Sequence, residues 1–164
     1  MIRGASALFH AALGIWVGGM LTLGTIVAPV VFRSVPSRLL AGTVFGNVLQ
    51  AFGWFQIALA AACLLSLLVL RIGGGLDNRR AAVRIVAVVA MLVLVCVSQF
   101  HLAPEIVRER DRLVGFDSIP SGTPQKARFD TLHRRSVQLA GATLLIGLSV
   151  LGLSLASSKP SDGA

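Results

Sequence analysis

The stretch IVAVVAMLVLVCVSQFHLAP, residues 85–104, decides the fold of this chain, because it holds twenty consecutive residues without Lys, Arg, Asp or Glu. A helix of that length covers roughly 30 Å, which is the hydrocarbon thickness of a bilayer. Three further runs lack charged residues in the same way, at 4–32, 39–70 and 136–158. Backbone groups in hydrocarbon must bond within their own segment. The sequence therefore predicts an all-α fold, a four-helix transmembrane bundle.

The composition supports a single membrane domain. Of 164 residues, 55% are apolar and only 13% are charged, and the mean hydropathy is +0.81. We expect one transmembrane domain over 1–158, followed by a polar tail over 159–164. The first apolar run is too long for a signal peptide, so we interpret it as a retained span. The spans are predicted at about 5–31, 45–70, 85–104 and 136–157.

The link between the third and fourth spans differs from the other two links. In EIVRERDRL, residues 105–113, opposite charges recur at helical spacing, which favours a helix that continues beyond the membrane. Thr123 followed by Pro124 is typical of a helix start. We therefore predict an extramembrane helical hairpin over 105–135, with the fourth helix beginning near Pro124.

The net charge of +8 does not indicate a nucleic-acid partner, because the basic residues lie at the edges of the spans. The expected partner is the lipid bilayer. An arginine-rich composition with abundant Ala, Gly and Val is typical of a bacterial protein, so we expect the bacterial inner membrane. The compact link RIGGGLDNRR, residues 71–80, favours cytoplasmic termini, although nine basic residues on the hairpin side against six on the other argue for the reverse.

Two histidines lie where apolar runs meet the hairpin. His101 is four residues before Glu105, and His133 is three residues after Asp130, so each pair shares a helix face. We predict primarily an ion-paired polar cluster that fixes the hairpin. Binding of a divalent metal by these four side chains and proton handling are the alternatives. The predicted cluster consists of six residues, namely Arg33, His101, Glu105, Arg108, Asp130 and His133.

The remaining reactive side chains indicate no enzyme. His10 lies near the opposite membrane edge from His101, so the two are unsuited to ligate one haem iron. With Ser6 one turn earlier, His10 is expected to be neutral and to bond a neighbouring helix, with Asn47, Gln50 and Gln56 as candidate partners. No Ser-His-Asp arrangement, phosphate loop or Cys-x-x-Cys pair occurs. Two G-x-x-x-G motifs, at 14–18 and 42–46, predict close packing within the bundle or a dimer interface.

Four segments together carry a family resemblance. They are FHAALGIWVGGM (9–20), APVVFRSVPSRLLAGTVFGNVLQAFGWF (28–55), FHLAPEIVRER (100–110) and ARFDTLHRRSV (127–137). In order and spacing the chain resembles the transmembrane protein 205-like domain family, four-span membrane proteins with a domain of unknown function. The residues that match its pattern are His10, Trp16, Phe32, Arg33, Pro36, Gly42, Pro104, Phe129, His133 and Ser136. His101 departs from the pattern, which argues against a family-wide metal site built on it.

The resemblance implies the four-span fold and the membrane location, and it implies no reaction. The expected function is a non-enzymatic one: binding or passage of a small solute or ion, or a role as a membrane partner, including in a homo-oligomer. The segment HAALGIWVGG, residues 10–19, also resembles copper-resistance-type membrane domains. That resemblance implies the alternative function, a metal- or haem-binding redox or copper-handling protein.

Overall fold

A computed structural model of the protein describes residues 1–113, 119, 123–124 and 126–156. The described residues form four long helices, α1 (Ile2–Ser34), α2 (Arg38–Ile72), α3 (Asn78–Arg112) and α4 (Ala127–Ala156), and contain no strand. Each helix includes a segment long and apolar enough to cross a membrane. The all-α four-helix prediction is confirmed. The helices extend beyond the predicted spans, so the membrane boundaries within them stay predictions, and position 157 lies outside the described residues.

The helices pack as a ring of antiparallel neighbours, α1 against α2, α2 against α3, α3 against α4, and α4 against α1. Large side chains fill the centre at helical spacing, and the ones that are fully buried include Phe9, Leu13, Trp16, Leu67, Val88 and Met91. The outer surface is also apolar, with large exposed residues on every helix. A helix that is apolar on both its inner and outer faces is suited to lipid, so the packing agrees with a multi-pass membrane protein.

Short links terminate the helices in ways that the sequence specifies. The side chain of Ser37 accepts the backbone N–H of Leu40 at the start of α2, and Asp77 accepts the N–H of Arg80 at the start of α3. At the end of α2, Gly74 has φ +70°, which a glycine adopts without steric cost. The N–H of Gly75 then donates to the carbonyl of Leu70, which satisfies a terminal helix carbonyl.

Two prolines explain two wide turns. A π-helical turn at Leu23–Val27 comes immediately before Ala28 and Pro29, and a second one at Ser98–Leu102 comes before Ala103 and Pro104. Proline lacks an N–H, and its ring crowds the carbonyl four residues earlier. A wider turn makes room for the ring and lets α1 and α3 continue as single helices. His101 and Glu105 therefore stay on one continuous helix.

Close helix contacts use glycines outside the G-x-x-x-G motifs. A methyl group added at any motif glycine, Gly14, Gly18, Gly42 or Gly46, would meet no atom of another helix within 4 Å. The prediction that these motifs pack inside the bundle is therefore wrong. Within the helices, the close approaches occur at three other glycines, Gly19 against Phe52, Gly53 against Gln99, and Gly147 against Val17.

A buried glutamine links α2 to α3 inside the apolar bundle. Gln99 donates from Nε2 to the backbone carbonyl of Gln50, with an N···O distance of 2.6 Å. A Cβ at Gly53 would lie 2.6 Å from Oε1 of the same glutamine. Gly53 is thus the residue that leaves room for this hydrogen bond, which joins the middle of α2 to the wide turn of α3.

We expect Gly53→Ala to lower the thermal stability of the detergent-solubilised protein relative to Gly46→Ala. Both changes improve helix propensity equally, but only the first displaces Gln99 from its bond. Hydrogen bonds between membrane helices contribute about 0.6 kcal/mol on average, so a difference of about 1 kcal/mol is expected once the steric cost is added. Thermal unfolding followed by circular dichroism measures it. Equal stability of the two variants would contradict this account.

The helical hairpin is present at the α3–α4 end. α3 continues to Arg112, and α4 begins at Ala127, not at Pro124, whose segment forms a turn in which Lys126 N–H bonds the Thr123 carbonyl. The segment between the two helices lies largely outside the described residues. Glu109 of α3 joins the two helices, because its carboxylate lies 2.9 Å from Arg112 and 3.2 Å from Arg128 of α4.

A double-mutant cycle tests the Glu109–Arg128 link. The arginine side chain is 65% exposed and the glutamate 15% exposed. For such partly solvated pairs a coupling free energy of about 0.2–1 kcal/mol is expected, decreasing with added salt. Glu109→Gln, Arg128→Gln and the double variant are compared by thermal unfolding. Asp111→Asn is the control, since its only ion pair in the described residues is with its neighbour Arg110. A coupling energy of zero would show that the pair does not join the helices.

Candidate functional site

A groove between α3 and α4 lies at the hairpin end of the bundle. Its volume is about 290 Å³, and α3 lines it with His101 and Glu105, one turn apart on one face. Across the groove α4 contributes Arg135 and Gln138. Apolar side chains complete the walls, namely Val97, Leu102, Leu132 and Leu139.

Opposite charges line the groove without neutralising one another. Glu105 is half-buried and Arg135 is exposed. Within the described residues neither side chain forms an ion pair at 4.0 Å or less. His101 and Gln138 add groups that can both donate and accept hydrogen bonds. The groove therefore presents a cation, an anion and neutral polar groups to whatever occupies it.

The second predicted pair, Asp130 and His133, lies elsewhere on α4. His133 is exposed and stacks on the ring of Phe129, with centroids 6.1 Å apart and planes 4° apart. Asp130 is half-buried in the first turn of α4. Neither residue lines the groove that holds His101 and Glu105. The structure thus places the predicted pair His101 and Glu105 opposite Arg135 and Gln138 of α4, and not opposite the second predicted pair.

No metal centre emerges from the part of the chain that the structure describes. Within it, no three or more His, Cys, Asp or Glu side chains are grouped closely enough to hold a metal ion. The predicted set of His101, Glu105, Asp130 and His133 is therefore not assembled as one such group. Metal binding by these residues stays a prediction.

The two arginines of the predicted polar cluster lie at the surface. Arg33 in the last turn of α1 and Arg108 on α3 are both exposed, and neither forms an ion pair with a described residue. The interhelical ion pair of the hairpin instead uses Glu109 and Arg128, and the cluster of six as a bonded unit stays a prediction. The sequence indicated Glu109 only as a partner within its own helix. Its bond to α4 depends on how α3 and α4 are aligned, an alignment in which Glu105 and Leu132 line the same groove.

His10 is satisfied within its own helix. Its Nδ1 lies 2.7 Å from the carbonyl oxygen of Ser6, to which it donates, and its ring meets the Phe9 ring edge-on. The expected bond to a neighbouring helix is therefore replaced by a bond one turn earlier in α1. Of the three candidate partners, Gln50 uses its backbone carbonyl to accept from Gln99.

The residues of the family pattern occupy varied positions. Trp16 is fully buried in the core, whereas Phe32 is exposed and meets Phe45 edge-on with centroids 6.1 Å apart. Pro104 follows the wide turn of α3, and Ser136 is half-buried on α4. None of the ten residues of the family pattern is among those that line the groove of His101 and Glu105.

Comparison with known proteins identifies a family but no characterised relative. A family model described as a domain of unknown function matches residues 11–113, from the third turn of α1 to the residue after α3. No curated protein and no solved structure matches the chain. The narrower name, transmembrane protein 205-like, stays a prediction. Since the match covers more than half of the 164 residues, the chain belongs to the family described as Domain of unknown function (DUF4149).

Proposed function

We propose that this protein is a non-enzymatic integral membrane protein that binds a small zwitterionic solute in the α3–α4 groove. The observation that supports the proposal is the placement of Glu105 and Arg135 along one groove without an ion pair between them. A solute with one acidic and one basic group would pair with both. His101 and Gln138 would supply further hydrogen bonds.

The chemistry of the groove fits a small solute. An arginine guanidinium binds a carboxylate through two parallel N–H donors, and a glutamate carboxylate accepts from an ammonium group. A volume of about 290 Å³ is close to the lower end of the range for ligand pockets, about 300 Å³. Leu102 and Leu132 are both buried and give the groove an apolar floor, which strengthens charged interactions above it.

Binding is favoured over passage by the apolar core. From the middle of the bundle towards its other end, the described interior is filled by large buried side chains, among them Phe9, Trp16 and Met91. A polar solute would lose its hydrogen bonds there without replacement. The groove is thus a binding site at one membrane face and not part of a continuous polar path.

The location that we propose is the bacterial inner membrane with both termini in the cytoplasm. The Arg-rich link between α2 and α3 supports this orientation. The hairpin and the groove would then face the periplasmic side. A second copy of the chain or another membrane protein remains the proposed kind of macromolecular partner.

Thermal unfolding in detergent with glycine or β-alanine, whose charged ends are spaced differently, tests the binding proposal. A saturable increase in unfolding temperature is expected with one of them. Acetate and methylammonium, which carry one charge each, should stabilise less. Arg135→Gln and Glu105→Gln should each weaken the effect about tenfold or more, because charge-assisted hydrogen bonds contribute about 1.5–3 kcal/mol.

His133→Gln is the matched control, since this exposed histidine lies near the groove without lining it. It should leave the response to the zwitterion unchanged. No saturable response to either zwitterion would contradict the proposal. A Soret band, or near-stoichiometric transition metal that is lost on His133→Ala, would replace it with the metal- or haem-binding alternative.

A further inference from the structure

We propose a second site: the groove between α3 and α4 at the terminus end of the bundle binds the phosphate group of an anionic membrane phospholipid. This groove has a volume of about 420 Å³. The first two turns of α3 line it with Arg79, Arg80 and Arg84, and apolar side chains of both helices form the rest of the wall. It lies at the opposite membrane edge from the groove of His101, so its occupant is independent of the proposed solute.

Arg84 is the central observation. Its side chain lines the groove although the residue is only 9% exposed, and it has no ion pair or hydrogen bond to any described residue. Its guanidinium carbon lies 5.8 Å from the centroid of the Phe9 ring. That contact stabilises the cation on one side only and satisfies none of its five N–H donors. The residue is mostly buried, but its guanidinium nitrogen atoms are not fully enclosed, so an anion in the groove can accept from these donors.

The surroundings of Arg84 favour an anion. Arg80 lies one turn earlier on the same groove, and like charges at this spacing repel. Asp77 pairs with Arg80 at 3.1 Å and has no ion pair with Arg84. The described residues at this end of the bundle include one carboxylate, that of Asp77, and five arginines: Arg3, Arg71, Arg79, Arg80 and Arg84.

The helix itself adds to this preference. Helix N-termini favour negative charge, and here the N-cap carboxylate of Asp77 supplies one, while the first turn of α3 contains no acidic residue. A phosphate group between the arginines would add further negative charge at the same helix end. It would also accept several of the unused guanidinium N–H groups at once.

The position and the apolar wall favour a phospholipid over free phosphate. The arginines stand directly before the charge-free run at 85–104, where α3 enters the membrane. Val83 and Leu153 flank the groove and are 55% and 62% exposed, while Val150 is buried at its base. An acyl chain can lie along these side chains, whereas an inorganic ion makes no use of them. Basic pockets between membrane helices are a recurring type of site for anionic headgroups.

The test uses the full chain in a non-ionic detergent, titrated with phosphatidylglycerol or with phosphatidylcholine of the same acyl chains. Phosphatidylglycerol should raise the unfolding temperature in a saturable way, and phosphatidylcholine should not. Arg84→Met keeps the apolar stem and removes the charge. It should raise the half-saturating lipid concentration about tenfold or more, as expected for the loss of one charge-assisted contact. Arg71→Met, at an exposed arginine of the same membrane edge that does not line the groove, should bind like the original protein.

A second variant keeps the proposal testable if Arg84→Met does not fold. Val83→Trp fills the groove from its exposed rim without entering the core, and it should weaken phosphatidylglycerol binding to a similar extent. Inorganic phosphate forms a separate arm of the titration. Stabilisation by phosphate equal to that by phosphatidylglycerol would overturn the lipid assignment in favour of a free anion. An absent phosphatidylglycerol effect, or unchanged binding by both Arg84→Met and Val83→Trp, would overturn the site itself.

Discussion

Backbone hydrogen bonding in a medium without water is the constraint on which the rest of this structure depends. Each unpaired N–H or carbonyl costs several kcal/mol in hydrocarbon, so every span must be a nearly unbroken helix. The two prolines within α1 and α3 each remove one backbone hydrogen bond. At both places the helix continues through a π-helical turn and does not end. Everything that positions the candidate site follows from that continuity, since His101 and Glu105 share a face only because α3 continues through Pro104.

The two grooves between α3 and α4, one at each end of the bundle, differ in their balance of charge. At the hairpin end the groove combines His101 and Glu105 with Arg135, so both signs of charge are present. At the terminus end arginines dominate, and among the described residues there only Asp77 offsets them. The same pair of helices therefore offers a balanced site at one membrane edge and a cationic site at the other. Between them the α3–α4 interface is closed by apolar and small residues such as Met91 and Gly147.

The sequence predicted the fold well because helix existence depends on the chain's own length and composition. Four charge-free runs were sufficient to predict four long apolar helices. The spacing of His101 and Glu105 likewise predicted a shared face. These are all properties of one helix at a time.

Features that depend on how two helices are aligned were not predictable in the same way. The partnership of Glu109 with Arg128 needs the register of the hairpin. The packing of glycines depends on which face of a helix turns inward. The G-x-x-x-G motifs therefore gave a wrong prediction of close packing, and the close contact at Gly53 was not predicted. The buried Gln99 had a visible signal, a polar side chain within a charge-free run, but its acceptor is a backbone carbonyl that no motif records.

The two wide turns also make the bundle mechanically uneven. Both lie in the half nearest the hairpin, whereas the fully buried large side chains lie mostly in the other half. Pro29 and Pro104 offer no N–H to the carbonyls of Thr25 and Phe100, so these points resist bending less than an intact helix does. We therefore expect the half that holds the large buried side chains to be the stiffer one. We expect any bending of α3 to occur mainly in the turn that contains His101, where it would change the width of the groove.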